Sequence, residues 1–238
     1  MQEDPQIDEV WLVARRRERL EHLAQRLTNA RAIVIPLDLS DRSAVDTLVR
    51  RLTQAGSTVR VLVNNAGATV GGDVRDVASE TLLATVDLNV RAVVQLTKAA
   101  VSVMEDGARI IQVASTAAFY PIPGLAVYTA AKAFVLSFTV SLAAELTSRH
   151  IRAMVLCPGA VATEFWDVTS RGRLGPPPLI AQRPKSVVRA ALRHARWGCW
   201  ISIPGWLWKL SALLSRCSPW RLSACVVKWL NPLRKRGQ

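Results

Sequence analysis

Acidic residues are missing from the last third of the chain, where none follows Asp167. The 238 residues include 31 Lys and Arg against 18 Asp and Glu, and 14 of the basic ones lie beyond that point. Seventeen basic residues balance the 18 acidic ones before it, so the net charge of +13 belongs to the C-terminal segment alone. Any argument from charge to partners concerns that segment. Long apolar runs are missing too: none reaches the 18 consecutive residues, roughly, at which a spanning helix is considered. The opening MQEDPQIDEV is acidic and polar, the wrong chemistry for a secretory signal. Four cysteines (Cys157, Cys199, Cys217, Cys225) show neither CxxC nor Cys/His ligand spacing. No metal site is expected, and the thiols read as reduced and mostly buried in a cytoplasmic protein.

What is present suits one packed α/β domain: 50% of the residues are hydrophobic and 21% charged. Apolar runs at 10–14, 32–39, 60–64, 109–113, 151–157 and near 200–203 read as buried strands. Helical patterns alternate with them, to about Leu27, then over 43–54, 79–104, 126–149 and 185–196. Asp41 or Ser40 is available to cap the second helix, and Gly56 ends it. Continuous apolar strands alternating with helices imply a parallel sheet covered on both faces, with right-handed crossovers: a doubly wound, Rossmann-like α/β fold. Residues 164–184, with Gly172, Gly175 and Pro176-Pro177-Pro178, read as a loop. The expected division is a domain over 1–203 and a basic, tryptophan-rich helical tail over 204–238.

The candidate chemistry lies at the strand ends. Tyr128 and Lys132 stand one turn apart on one helix face. Ser115 ends the preceding strand, where a parallel sheet places its ligands. Asn89 lies in an earlier helix. A YxxxK pair alone is a weak signal. Here it comes with a serine thirteen positions earlier, Asn64-Asn65-Ala66-Gly67 after one strand and Pro158-Gly159 after another.

From about Glu9 to Thr163 these residues resemble the short-chain dehydrogenase/reductase superfamily. Asn89, Ser115, Tyr128 and Lys132 match its catalytic tetrad, and Asn64 to Gly67 its NNAG motif, which steadies the central sheet beside the cofactor. Pro158, Gly159, Val161 and Thr163 resemble the segment that holds the nicotinamide carboxamide, and Asp38-Leu39 the turn that contacts adenine. The resemblance implies an oxidoreductase moving a hydride between NADP(H) and a ketone or secondary alcohol. Tyr128 would be the acid in reduction and the base in oxidation, and Ser115 would bond the substrate oxygen. Lys132 is expected to lower the tyrosine pKa from its ordinary value of about 10. Asn89 would hold a relay water. At the end of the first strand stand Arg15 and Arg16, guanidiniums suited to a 2′-phosphate, which favours NADP(H) over NAD.

The resemblance lacks its beginning. Nothing before the first strand matches the family's opening strand, TGxxxGxG turn and helix, which supply the pyrophosphate site. An N-terminally truncated sheet with a gap between two unpaired edges is therefore expected. The chain is then either a fragment of an ordinary reductase or a non-catalytic remnant binding a membrane surface or protein partner; the intact tetrad favours the first.

Six of the eight tryptophans lie in 197–229. Trp206, Leu210, Leu213, Leu214 and Cys217 share one helical face, and Leu222, Val226, Trp229, Leu230 and Leu233 another. Such helices either pack over the substrate pocket or against a second subunit, the preferred reading, or lie on an anionic membrane. A lipophilic substrate and a homo-oligomer through the 126–149 helix are expected, and nucleic acid is not.

Overall fold

The computed structural model describes residues 7–172, 175–177 and 179–230, the last three without their side chains. The apolar runs form parallel strands. β1 (Glu9–Ala14) pairs with β2 (Arg31–Pro36), Glu9 opposite Arg31. β3 (Val61–Asn64), β4 (Arg109–Val113), β5 (Arg152–Leu156) and β6 (Ile201–Ser202) form a second sheet in that order. Helices connect them as crossovers: α1 (Arg17–Ala24), α2 (Arg42–Gln54), α3 (Ser79–Val86), α4 (Ala92–Ser102), α5 (Ala126–Glu145) and α6 (Phe165–Ser170). The series closes with α7 (Pro184–Arg196), α8 (Trp206–Cys217) and α9 (Trp220–Leu230). This is the doubly wound α/β architecture expected, interrupted between β1 and β3. Neither strand has a partner on its second edge among the described residues.

α4 holds the two sheets together. Its Ala92 and Leu96 join Ile35, Leu39, Val45 and Leu48 in one core, with Trp11 and Val13 of β1 against it. From the same helix Thr97 reaches the other sheet, its Oγ1 accepting from Asn64 Nδ2 at 3.1 Å and Gln112 Nε2 at 2.8 Å and donating to Val93 O at 2.6 Å. All three side chains are buried, so each amide depends on that hydroxyl. Asn64 thus steadies the sheet as its motif implies.

α5 buries Tyr128, Ala131, Lys132, Val135, Thr139 and Leu142 along one face, the spacing of a helix laid on a sheet. Val135 packs with Val155 and Cys157, and Leu142 with Ile110 and Ala153. By length and composition α5 could cross a membrane; here this face is the core.

Several expected elements differ. The 79–104 helix is broken by a π turn over Asp87–Arg91. The 126–149 helix ends at Glu145, before a 3-10 turn and a left-handed His150 with φ 52°. The strand expected over 32–39 stops at Pro36, leaving Asp38 and Leu39 in the turn before α2. The 164–184 loop contains α6. α8 packs through Ala212 and Ser215, so the stripe of Trp206, Leu210, Leu213 and Leu214 faces outward and not over the pocket. Small side chains permit the close approach that the bulky stripe would prevent. The side chains of Trp229 and Leu230, and Leu233 altogether, lie outside the described residues.

Thr97→Val keeps the shape but strips the acceptor from two buried amides. We expect a loss of about 3 kcal/mol in urea unfolding; a loss below about 0.5 kcal/mol would refute the hub.

Candidate active site

The site stands on the carboxyl ends of β3, β4 and β5. Ser115 follows β4 and caps a 3-10 turn, its Oγ accepting from Ala117 N at 3.1 Å. Thr116 N donates to Pro158 O at 2.9 Å, lashing the loop after β4 to the loop after β5. Tyr128 and Lys132 come off the buried face of α5. Lys132 Nζ donates to Val113 O, the last residue of β4, at 2.9 Å. The ammonium then lies 5.6 Å from the Tyr128 ring centroid, and the Ser115 hydroxyl is near enough to the Tyr128 phenol to favour its ionised form.

Asn89 enters from the π turn, a local widening frequent at functional sites. It is wholly buried, and its Nδ2 donates to Ala68 O and Thr85 O, both at 2.9 Å. Its Oδ1 has no hydrogen-bond partner. Gly67 explains how the loop after β3 approaches: a Cβ there would stand 3.0 Å from Asn89 Oδ1 and 3.1 Å from Lys132 Nζ. The structure therefore brings Asn89, Ser115, Tyr128, Lys132 and Gly67 together.

Burial dominates the electrostatics. It pushes the Tyr128 phenol up to about 12, against a smaller lowering by the Ser115 hydrogen bond. The expected depression by Lys132 is not found, because the ring lacks water to share the phenolate charge. Burial pushes Lys132 down to about 8, opposed by Cys157. The Cys157 thiol rises to about 12 for the same reason. At neutral pH the arrangement is a protonated phenol beside an ammonium.

The other expected contacts are spread along the cleft. Asn65, Ala66 and Gly67 are exposed after β3. Arg15 Nη1 lies 3.7 Å from Asp38 Oδ2, so two expected ligands partner each other. Leu39 is in the core between α2 and α4, which leaves its side chain a packing role. Arg16 Nη1 bonds Glu164 Oε2 at 2.8 Å, and Arg19 the same carboxylate at 2.5 Å. Pro158 is buried, and Gly159 meets the indole of Trp208, which an added Cβ would strike at 2.0 Å. The carbonyl of Val161 accepts from Trp166 Nε1 at 3.0 Å, and Thr163 is exposed.

Sequence reasoning missed Phe165, whose ring centroid is 5.4 Å from that of Tyr128, and the Trp208 cover. It also missed Thr97 and Gln112 beneath the site and the Arg16–Glu164–Arg19 clasp. Such contacts join distant segments and leave no local pattern. The π turn likewise has no composition signature.

A doubly wound α/β fold with a buried Tyr and Lys one helical turn apart at its strand ends fits an oxidoreductase class. Comparison with known proteins makes it specific: the short chain dehydrogenase family model matches residues 6–173. The chain belongs to that family. It is 35% identical over 166 residues to sulfoacetaldehyde reductase 2 of Chromohalobacter salexigens, covering 68% of this chain and 66% of that protein. It is 32% identical over 197 residues to the NADP-dependent 3-hydroxy acid dehydrogenase of Shigella flexneri, covering 81% and 78%. A short-chain dehydrogenase from Sphingobium yanoikuyae, solved in complex with NADPH, superposes with a TM-score of 0.75 at 25% identity, covering 88% and 84%.

The residues present fit the nicotinamide-ribose half of such a cofactor: a side-chain-free Gly67, an unpartnered buried Asn89 oxygen and the Lys132 ammonium converge. Arginines at the end of β1 suit a 2′-phosphate. Among the described residues no glycine turn cradles the pyrophosphate.

Lys132 titrates at about 8 when folded against 10.5 when free, so between those values only the unfolded chain holds the proton. Taken alone, this group raises stability with pH across that window, by about 3 kcal/mol. Cys157, raised from 9.0 to about 12, and Tyr128, raised from 10.0 to about 12, act oppositely, so the rise ends near pH 9 and stability falls above 10. Urea unfolding from pH 7 to 11 should show a rise that levels off near 9, and Lys132→Met should abolish the rise; an unchanged rise would contradict the assignment.

Proposed function

We propose that this chain is an NADP(H)-dependent carbonyl reductase or alcohol dehydrogenase acting on a lipophilic ketone or secondary alcohol. The observation that carries the reading is the convergence of Ser115, Tyr128, Lys132 and Asn89 at one end of the sheet. When bound, NADP(H) supplies or accepts the hydride. Tyr128 holds the proton at its hydroxyl, donating it to the developing alkoxide in reduction and accepting it in oxidation. Ser115 bonds and orients the carbonyl oxygen. Lys132 is held in place by Val113 O, with its ammonium at the nicotinamide-ribose end of the site beside Gly67. Asn89 Oδ1, which has no partner, is free to accept from a water seated between it and Lys132 in this reading.

Cofactor choice rests on Arg15 and Arg16, whose exposed guanidiniums suit a 2′-phosphate and offer no acceptor to a 2′-hydroxyl. The Sphingobium structure with NADPH and the NADP-dependent relative support the same choice. Asp38, Leu39, Asn65, Ala66, Pro158, Gly159, Val161 and Thr163 complete the cofactor cleft in this reading. A lipophilic substrate follows from the aromatic wall of Phe165 and Trp208 beside Tyr128 and Gly159. The reading places the enzyme in the cytoplasm, where its four free thiols stay reduced. It makes α5 the face joining copies, since Phe134 is exposed and stacked on Phe138 at 5.6 Å. A second reading, a non-catalytic protein of this fold, is favoured by the clasp in which Glu164 occupies Arg16 and Arg19.

Tyr128→Phe should lower ketone reduction at least about a hundredfold while circular dichroism stays unchanged; retained turnover would sink the assignment. Replacing Arg15 and Arg16 by Ala should cut the NADPH-over-NADH rate ratio about tenfold or more. An unchanged ratio would remove both arginines from the cofactor site.

A further inference from the structure

α8 shows two faces of opposite use. Ala212 and Ser215 are buried against the body of the protein, and Trp208 lies on Gly159. The other side presents Trp206, Leu210, Leu213 and Leu214, each between 45% and 71% exposed. α9 likewise exposes Trp220 and Leu222, at 73% and 56%. An exposed apolar stripe such as that of α8 marks a contact site. Lys209 flanks it on α8, Arg216 stands over the Phe119 ring at 5.8 Å on the body side, and Arg221 is at the start of α9.

Charge decides what the surface meets. No acidic residue follows Asp167, and 14 basic residues do. A two-fold contact of this patch with a second copy would set basic residues against basic residues, since an isologous interface pairs a patch with itself. An anionic lipid bilayer offers both requirements at once, acyl chains for the leucines and negative headgroups for the rim. The indoles of Trp206 and Trp220, at the first turns of α8 and α9, are residues favoured at headgroup depth.

We propose that the outer face of α8 and the start of α9 dock the protein on an anionic membrane surface. The catalytic residues stay on the inner side of α8, with Trp208 between the bilayer-facing row and Gly159. Lipid docking does not depend on turnover, so its failure would leave the reductase reading standing.

The test is co-sedimentation of the full chain with vesicles of phosphatidylcholine alone and of phosphatidylcholine with phosphatidylglycerol. Binding is expected only to the mixed vesicles and should weaken with salt. Lys209→Gln with Arg221→Gln should weaken it about thirtyfold, near fivefold for each charge. Leu213→Ser with Leu214→Ser should weaken it about tenfold or more. Both pairs are solvent-facing, and unchanged circular dichroism certifies the fold. Equal binding to neutral and mixed vesicles, no binding to either, or indifference to both variants overturns the proposal. So does a lipid-free dimer in sedimentation equilibrium that Leu213→Ser with Leu214→Ser dissociates.

Discussion

The site depends on one buried ammonium. Lys132 Nζ ties the middle of the protein's longest described helix to the last carbonyl of β4 and is packed within reach of Gly67 and Asn89. A charged group so enclosed is costly unless it is hydrogen-bonded, and burial lowers its pKa to about 8 accordingly. The bond to Val113 holds the charge beside the Tyr128 ring. Any change that moves α5 along β4 separates Lys132 from Val113 O, so the packing of Val135 and Leu142 below supports the site above.

A second constraint is the broken sheet. The strands carrying Arg15 and Arg16 belong to a two-stranded piece, and the catalytic residues to a four-stranded one. α4 spans the break with two different chemistries, an apolar row toward β1 and β2 and the Thr97 hydroxyl toward β3 and β4. On the far side, Glu164 of the loop after β5 grips Arg16 and Arg19. These contacts set how Arg15 and Arg16 lie relative to Tyr128 and Lys132.

Much of this was legible in the sequence because it is local. Strand runs such as Val-Leu-Val-Asn and the Asp41 cap use patterns a few residues long, and Tyr128 with Lys132 needs only helical spacing. The break between β1 and β3 was readable from what the resemblance lacked. The direction of α8 was not. Its hydrophobic stripe is real, but the helix packs by its small residues, and only the surrounding surface determines which face fits. The pKa of Tyr128 was misjudged for a similar reason: the nearby cation is visible in the sequence, the depth of burial is not. The π turn that delivers Asn89 leaves no trace in residue type.

The most direct test of the account is whether this chain binds NADPH. Energy transfer from tryptophan to the nicotinamide reports binding, and circular dichroism on the same sample certifies the fold. The account predicts saturable transfer. A folded chain that shows none at any NADPH concentration would contradict it.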